Sequence, residues 1–331
     1  MATIAITGGS GFIGSALSQS LSDHFHVRIL DGRYNPDGPR PETDFTECDV
    51  RSYQQVERAL KGTDLVVHCA IVQIPQINQN KRLGYEVNII GTQNVCEAVG
   101  KTQSLKGLIL VGSWHTMGER NISGLIDEKF GFRPDLVEER SRPYALSKIA
   151  QETIVRYYDE DSQEKIYGIV RIGTTLGENM PEKTAANIFI EQALSGQVIT
   201  PYEHSMHRPM LYVDIQDVCH AFQLYALKIL EGKEMTAGDS LEHTVNLYSP
   251  EPTTILELAE IVKHAVTTHS HGTLKPEVRI VRTGQENMFV VEDKTRIRTD
   301  LSKARRFLGI EAFISPRESI SRIVRKRLSE S

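Results

Sequence analysis

Two residues in the stretch "RPYALSK", Tyr144 and Lys148, stand four apart, and on a helix that spacing puts both on one face. A phenol beside an ammonium group is suited to moving a proton. Tyrosine ordinarily titrates near pH 10, so acting as a base near neutrality requires about 4 kcal/mol of help from its surroundings. A nearby cation in a site shielded from water gives attraction of that order. Tyr144 would then take the proton of a substrate hydroxyl, with Ser113 hydrogen-bonding the same oxygen. Taken alone, Y-x-x-x-K is also common on surface helices, so its meaning depends on what surrounds it.

Ser113 closes the apolar run "GLILVGS" and is followed by Trp114 and His115. If the chain stays extended there, side chains alternate, so Ser113 and His115 share a face and Trp114 turns away to pack or to form a pocket wall. Imidazole titrates near pH 6.5 and donates or accepts near neutrality, which makes His115 a candidate substrate contact. The competing role is a histidine that caps the loop through backbone hydrogen bonds.

A second motif says what a proton carrier could serve. "ITGGSGFIG" joins a first strand to a first helix with Gly8, Gly11 and Gly14 spaced G-x-x-G-x-x-G. Glycines there allow a tight turn and let the backbone approach a pyrophosphate, while the helix N-terminus offers unpaired N–H groups. Asp31 ends the second strand about 20 residues on, where a carboxylate accepts the ribose hydroxyls of an adenosine and repels a 2′-phosphate. NAD is therefore favoured over NADP. Arg33 softens that exclusion, because a guanidinium could neutralise Asp31 or hold the phosphate. Asp49 and Val50 are placed to flank the adenine, with a helix N-cap as the other role for Asp49. With such a cofactor, hydride would leave the substrate carbon for the nicotinamide as Tyr144 takes the proton, and the positive ring would add to the attraction of Lys148.

The elements that must position these residues alternate. "TIAIT", "VRILD", "DLVVHCA", "GLILVGS" and "IYGIVRIG" read as strands, separated by helical stretches such as "GFIGSALSQSLSD", "LGYEVNIIGTQNVCEAVG" and "YALSKIAQETIVRYYDE". This is the βαβ pattern of a Rossmann-type doubly wound parallel sheet. Residues 1–176 are expected to form the NAD-binding domain with the catalytic residues, and 177–331 mainly a smaller mixed α/β substrate lobe, with segments free to return to the first domain. The helices "TAANIFIEQALSG", "DIQDVCHAFQLYALKIL", "TILELAEIVKHAV" and "LSKARRFLG" are assigned to that lobe, over the carboxyl ends of the strands. The basic tail "RIVRKRLSES" reads as a solvated helix face.

Composition narrows the partners. In 331 residues, 43 acidic against 38 basic side chains give a formal charge of -5, with no long basic block to serve as a footprint for nucleic acid. Four scattered cysteines, Cys48, Cys69, Cys96 and Cys219, support neither a disulfide framework nor a metal site. No apolar run approaches the ~18 to 20 residues of a membrane span, and a strand begins at once after Met1, so the expectation is a cytoplasmic protein with a small-molecule substrate.

Together, "TGGSGFIG", "DLVVHCA", "VNIIGTQNV", the Ser113 strand end, "PYALSK", "VRIGTTLG", "RPMLYVDIQDV" and "DLSKARRFLG" resemble the extended short-chain dehydrogenase/reductase family, the NAD-dependent epimerase/dehydratase group, over nearly the whole chain. The resemblance implies a catalytic triad of Ser113, Tyr144 and Lys148, with Lys148 also on the nicotinamide ribose. It implies Gly8, Gly11, Phe12 and Ile13 at the pyrophosphate, Asp31 at the adenosine ribose, and Asp49 and Val50 at the adenine. Cys69, Ala70 and Ile71 would line the cofactor, with Asn88 near it. Gln73, His115, Thr174 and Arg208 are the candidate substrate contacts, Arg208 matching an arginine often near the nucleotide. Such enzymes mostly act on nucleotide sugars, and many are homodimers built from two helices per subunit.

Two departures bear on the reaction. Members that remove water from a sugar usually carry an acidic pair where this chain has Trp114 and His115, so 4,6-dehydration is disfavoured. Thr174 replaces the typical asparagine of uridine-diphosphate-sugar binding, and "SWHTMG" is similar to a segment of uronate dehydrogenases, which are shorter. The expected function is a sugar-nucleotide epimerase or oxidoreductase; the alternative is a dehydrogenase acting on a sugar acid or other small carbonyl compound.

Overall fold

Each apolar run read as a strand becomes one, and their order decides where a ligand can enter. The computed structural model describes residues 1–34, 44–232 and 240–330. Seven strands form the main sheet: β1 (Thr3–Thr7), β2 (His26–Asp31), β3 (Asp44–Glu47), β4 (Leu65–His68), β5 (Gly107–Ser113), β6 (Ile166–Ile172) and β7 (Thr244–Leu247). All pairings are parallel, in the order β7-β6-β5-β4-β1-β2-β3. The winding reverses between β1 and β4, whose last residues Thr7 and His68 are in register. Such a reversal opens a crevice outside the carboxyl ends of the strands.

Among the described residues, eight helices of seven or more residues cover the sheet and build the lobe: α1 (Phe12–Leu21), α2 (Tyr53–Ala59), α3 (Gly91–Lys101), α4 (Arg142–Asp161), α5 (Ala185–Leu194), α6 (Ile215–Glu231), α7 (Ile255–His269) and α8 (Pro316–Glu330). Strand side chains alternate between two cores. Ile4 and Ile6 face α1 and α6 through Leu17, Leu21, Phe222 and Tyr225, whereas Ala5 faces the side covered by α2, α3 and α4 through Val56, Val95 and Val155. A third core joins α5, α7 and α8 around Phe189, Val262 and Ile323.

Three findings differ from the sequence reading. Strand β7 was not foreseen, because four residues, "TVNL", are too short to show a period. Two of the stretches assigned to the lobe pack on the sheet instead: Val218, Ala221, Phe222 and Tyr225 of α6, and Ala304 and Leu308 of "LSKARRFLG", share the core of β1. An apolar helical stripe shows that a helix is buried, not against what. The basic tail is only partly solvated, since Arg322 meets Asp214 and Arg327 meets Glu191, each at 2.5 Å, and these pairs tie α8 to the lobe.

Candidate active site

At the switch point a cavity of about 1110 Å³ runs from the glycine turn to the end of β5. The turn leaves no room for side chains at two positions. Gly8 has φ +67°, and a Cβ there would lie 2.7 Å from Ala70 Cα; a Cβ on Gly14 would lie 2.2 Å from the Gly8 carbonyl oxygen. Close strand–helix contact is thus built from backbone alone. Helix α1 begins after Gly11 with no side-chain cap, so its first N–H groups are available to a phosphate.

Gly8, Gly11, Phe12, Ile13, Asp31, Arg33, Asp49, Val50, Cys69, Ala70 and Ile71 all line this end of the cavity. Asp31 is held at the rim by the backbone N–H groups of Ser10, 3.1 Å, and Arg33, 3.3 Å. The N-cap role considered for Asp49 falls to Ser52, whose hydroxyl accepts from Gln55 N. Asp49 instead grips Arg51 at 2.6 Å, and that bond holds its carboxyl below the usual range. An uncapped helix start, an approachable glycine backbone and a carboxylate one strand away fit a dinucleotide with a free ribose.

Asn88 does not line the cavity. It is fully buried, accepts from Val72 N at 2.7 Å, and donates to Val72 O at 3.1 Å and to Ser147 Oγ at 2.9 Å. It therefore brackets the loop after β4 to α4, acting on the cavity wall from behind. His68 works beside it. Thr92 Oγ1 gives its one hydrogen to Asn88 O, so His68 Nε2 must donate to Thr92, and His68 Nδ1 accepts from Thr7 Oγ1 at 2.6 Å. Burial keeps this imidazole neutral, with its pKa lowered to about 3.

Ser113, His115, Tyr144, Lys148, Gln73 and Thr174 line the other end. Helix α4 carries Tyr144 and Lys148, and a buried pair anchors it: Glu152 receives Arg171 of β6 at 2.5 to 3.0 Å. Lys148 Nζ donates to Val111 O at 2.8 Å, and burial lowers its pKa to about 7, with Cys69 and Glu152 acting in the opposite sense. Burial also raises the Tyr144 phenol to about 12, with Ser113 pulling it down. The protein's own surroundings therefore disfavour the phenolate, contrary to what a ready-made base requires.

His115 lies edge-on to Tyr144, ring centroids 5.6 Å apart, with Nδ1 3.2 Å from Ser113 Oγ. Its Nε2 is 3.4 Å from Glu119 Oε1. Burial lowers its pKa to about 4, opposed by Glu119 and reinforced by Arg208, Arg140 and Lys148. Trp114 is buried, only 2% exposed, and donates its indole N–H to Thr174 Oγ1 at 3.0 Å. Arg208 does not reach the cavity lining: it pairs with Glu119, and with Glu138 at 3.1 Å. Glu119 and Glu138 were missed in the sequence, although Glu119 stands one helical turn after His115.

Among the described residues there is no cluster of three or more potential metal ligands, and no helix is long and apolar enough to cross a membrane. The fold and site define a Rossmann-type enzyme that handles a dinucleotide beside a Tyr–Lys pair. A model of the NAD dependent epimerase/dehydratase family matches residues 4–238, and the chain belongs to that family. NAD is its cofactor. The chain is similar to a putative UDP-glucose 4-epimerase of Methanocaldococcus jannaschii, 27% identical over 335 residues and 97% of each chain. It is also similar to the sterol-4-alpha-carboxylate 3-dehydrogenase, decarboxylating, of Bos taurus, 32% identical over 197 residues, 58% of this chain and 51% of that one. Among solved structures, UDP-glucuronic acid 4-epimerase from Bacillus cereus, in complex with UDP-glucuronic acid and NAD, shares the fold with a TM-score of 0.74. Identity there is 21%, over 98% of this chain and 99% of that one.

Proposed function

We propose that the chain is an NAD-dependent sugar-nucleotide epimerase working by Tyr144-assisted hydride transfer at a sugar carbon. The observation that carries this reading is one continuous cavity with the glycine turn and Asp31 at one end and Ser113, Tyr144 and Lys148 at the other. The full-length match to a putative UDP-glucose 4-epimerase supports the substrate class.

NAD, when held by the glycine turn and Asp31, would supply the acceptor and donor of hydride for the sugar carbon. Tyr144 Oη takes the proton of the sugar hydroxyl and gives it back. Ser113 Oγ holds that oxygen in place, and His115 forms the adjoining wall as a substrate contact. Lys148 Nζ, from the same helix, would supply positive charge to the phenol when protonated and would bind the nicotinamide ribose. Because burial drives Tyr144 up to about 12 even with Ser113 pulling it down, the phenolate depends on positive charge close by. Gln73 and Thr174 complete the sugar end. We further assign a homodimer through the outer face of α4 and the turn that leads into α3, where Leu146 and Tyr157, and Ile90, expose apolar surface.

Two observations favour a second reading, a dehydrogenase on a sugar acid or other small carbonyl compound. Thr174 is engaged by Trp114, and Arg208 by two glutamates, so both residues that would meet a diphosphate in the resembled family already have partners. An epimerase restores its NAD each cycle and keeps it; a dehydrogenase must exchange it. Denaturing the gel-filtered protein and quantifying released dinucleotide separates the two. About one NAD per chain supports the epimerase, and protein that emerges empty yet turns over with added NAD supports the dehydrogenase.

A further inference from the structure

His115 has two ring nitrogens, and each meets a different neighbour. Nδ1 lies 3.2 Å from Ser113 Oγ, and Nε2 lies 3.4 Å from Glu119 Oε1. A neutral imidazole carries one hydrogen on one nitrogen or the other, and the surroundings decide which. Glu119 is buried and does not line the cavity, so it can act on a substrate only through another residue.

Burial pushes the Glu119 carboxyl up, but Arg208, His115 and the backbone N–H of Glu138 hold it below the usual range, so it is ionised. Both oxygens are fixed: Oε1 pairs with Arg208, and Oε2 accepts from Glu138 N at 2.9 Å. An ionised carboxylate has no hydrogen to give. A bare Nε2 facing Oε1 would set two acceptors against each other, whereas Nε2–H makes the contact attractive. A second proton on the ring finds no spare counter-charge, because Glu119 and Glu138 are already matched by Arg208 and Arg140. Burial, with Arg208, Arg140 and Lys148, outweighs the pull of Glu119 and keeps the ring neutral. The hydrogen therefore sits on Nε2, and Nδ1 turns a lone pair to Ser113. Ser113 Oγ accepts the backbone N–H of His115 at 3.3 Å, which leaves it one hydrogen and one lone pair.

We infer that Glu119 is a positioning residue: by holding His115 as the Nε2–H tautomer, it lets the Ser113 hydroxyl turn between two partners, His115 Nδ1 and the substrate oxygen. This deepens the proposed function and rests on one part of it, oxidation at a carbon beside Ser113, which the dehydrogenase alternative shares. The substrate oxygen is a hydroxyl before oxidation and a carbonyl after it. With its hydrogen on Nδ1, Ser113 accepts from the hydroxyl; with that hydrogen turned to the cavity, it donates to the carbonyl. The opposite tautomer, Nδ1–H, would fill the second lone pair of Ser113 and leave it a donor only.

The test reads the tautomer itself, with no sugar present. NAD-loaded protein carrying isotope-labelled histidine is followed by nitrogen NMR in wild type and Glu119→Gln, and the His115 signals are those missing from His115→Ala. Wild type should show a neutral His115 with its hydrogen on Nε2 from about pH 6 to about pH 8. Glu119→Gln, uncharged and of the same shape, should populate the Nδ1–H form. With UDP-glucose or UDP-glucuronic acid it should lower kcat by about 10-fold while KM and bound NAD stay near wild type. That variant also takes a counter-charge from Arg208 and can fail to fold, so the wild-type spectrum decides by itself. His115 carrying its hydrogen on Nδ1, or gaining a second proton above about pH 6, overturns the inference. So does Glu119→Gln that keeps the wild-type tautomer, whatever its turnover. A wild-type Nε2–H spectrum in protein that converts neither sugar compound upholds the tautomer and removes the sugar-nucleotide reading.

Discussion

At the scale of single residues, Tyr144 and Lys148 are pushed by burial in opposite directions, the phenol up to about 12 and the amine down to about 7. Tyr144→Phe removes the proton carrier alone, so turnover should fall by at least about 100-fold while NAD binding stays near wild type. Turnover near wild type in that variant would assign the proton to another group, with His115, whose ring lies 5.6 Å from that of Tyr144, the candidate. His115→Ala should lower turnover or substrate binding by about 10- to 1,000-fold at unchanged thermal stability; activity and stability falling together would make it structural. Lys148 also makes a stability prediction. Its pKa is about 7 in the fold against 10.5 for the free group, so between those values the unfolded chain binds more protons and stability rises with pH. In cofactor-free protein, denaturant midpoints at about pH 7 and about pH 9.5 should climb more for wild type than for Lys148→Met. Equal slopes would contradict the assignment.

The residues picked out because chemistry dictates their spacing, the glycines, Asp31 and the Tyr–Lys pair, line one cavity. The partners of those residues did not. Asn88 and Arg208 were read as contacts by resemblance, yet each is used from behind the wall, because a sequence carries no record of which carboxylate or backbone group a long side chain meets.

Elements set the angles at which those residues act. Helix α4 must hold both Tyr144 and Lys148, and the buried Arg171–Glu152 pair fixes it to β6. Glu152→Ala would leave Arg171 buried with one hydrogen-bond partner among the described residues, the carbonyl oxygen of Glu128 at 3.1 Å. Removing one partner of a buried pair costs about 3 to 5 kcal/mol. A chemical denaturation midpoint should report a loss of that order, and a change below about 1 kcal/mol would mean that the pair does not anchor the helix. Long amphipathic helices and fully apolar strands were read correctly from period and length. Strand β7, at four residues, and the packing partner of α6 were not, since neither local period nor composition encodes what an apolar stripe will meet.

For the whole molecule, the consequence of the doubly wound order is a single crevice at the β1–β4 reversal, where the cofactor turn and the Tyr–Lys pair face one space. On the proposed epimerase reading, such an arrangement would let one carbon lose hydride and regain it without the substrate leaving. The direct test is to incubate the purified protein with UDP-glucose and UDP-glucuronic acid, adding no other oxidant, and to follow both the sugar epimers and the nicotinamide absorbance. The account predicts that an epimer accumulates from at least one of them to a fixed equilibrium ratio with no net NADH. NADH appearing mole for mole with an oxidised product, or no conversion of either compound by NAD-loaded protein, would contradict it.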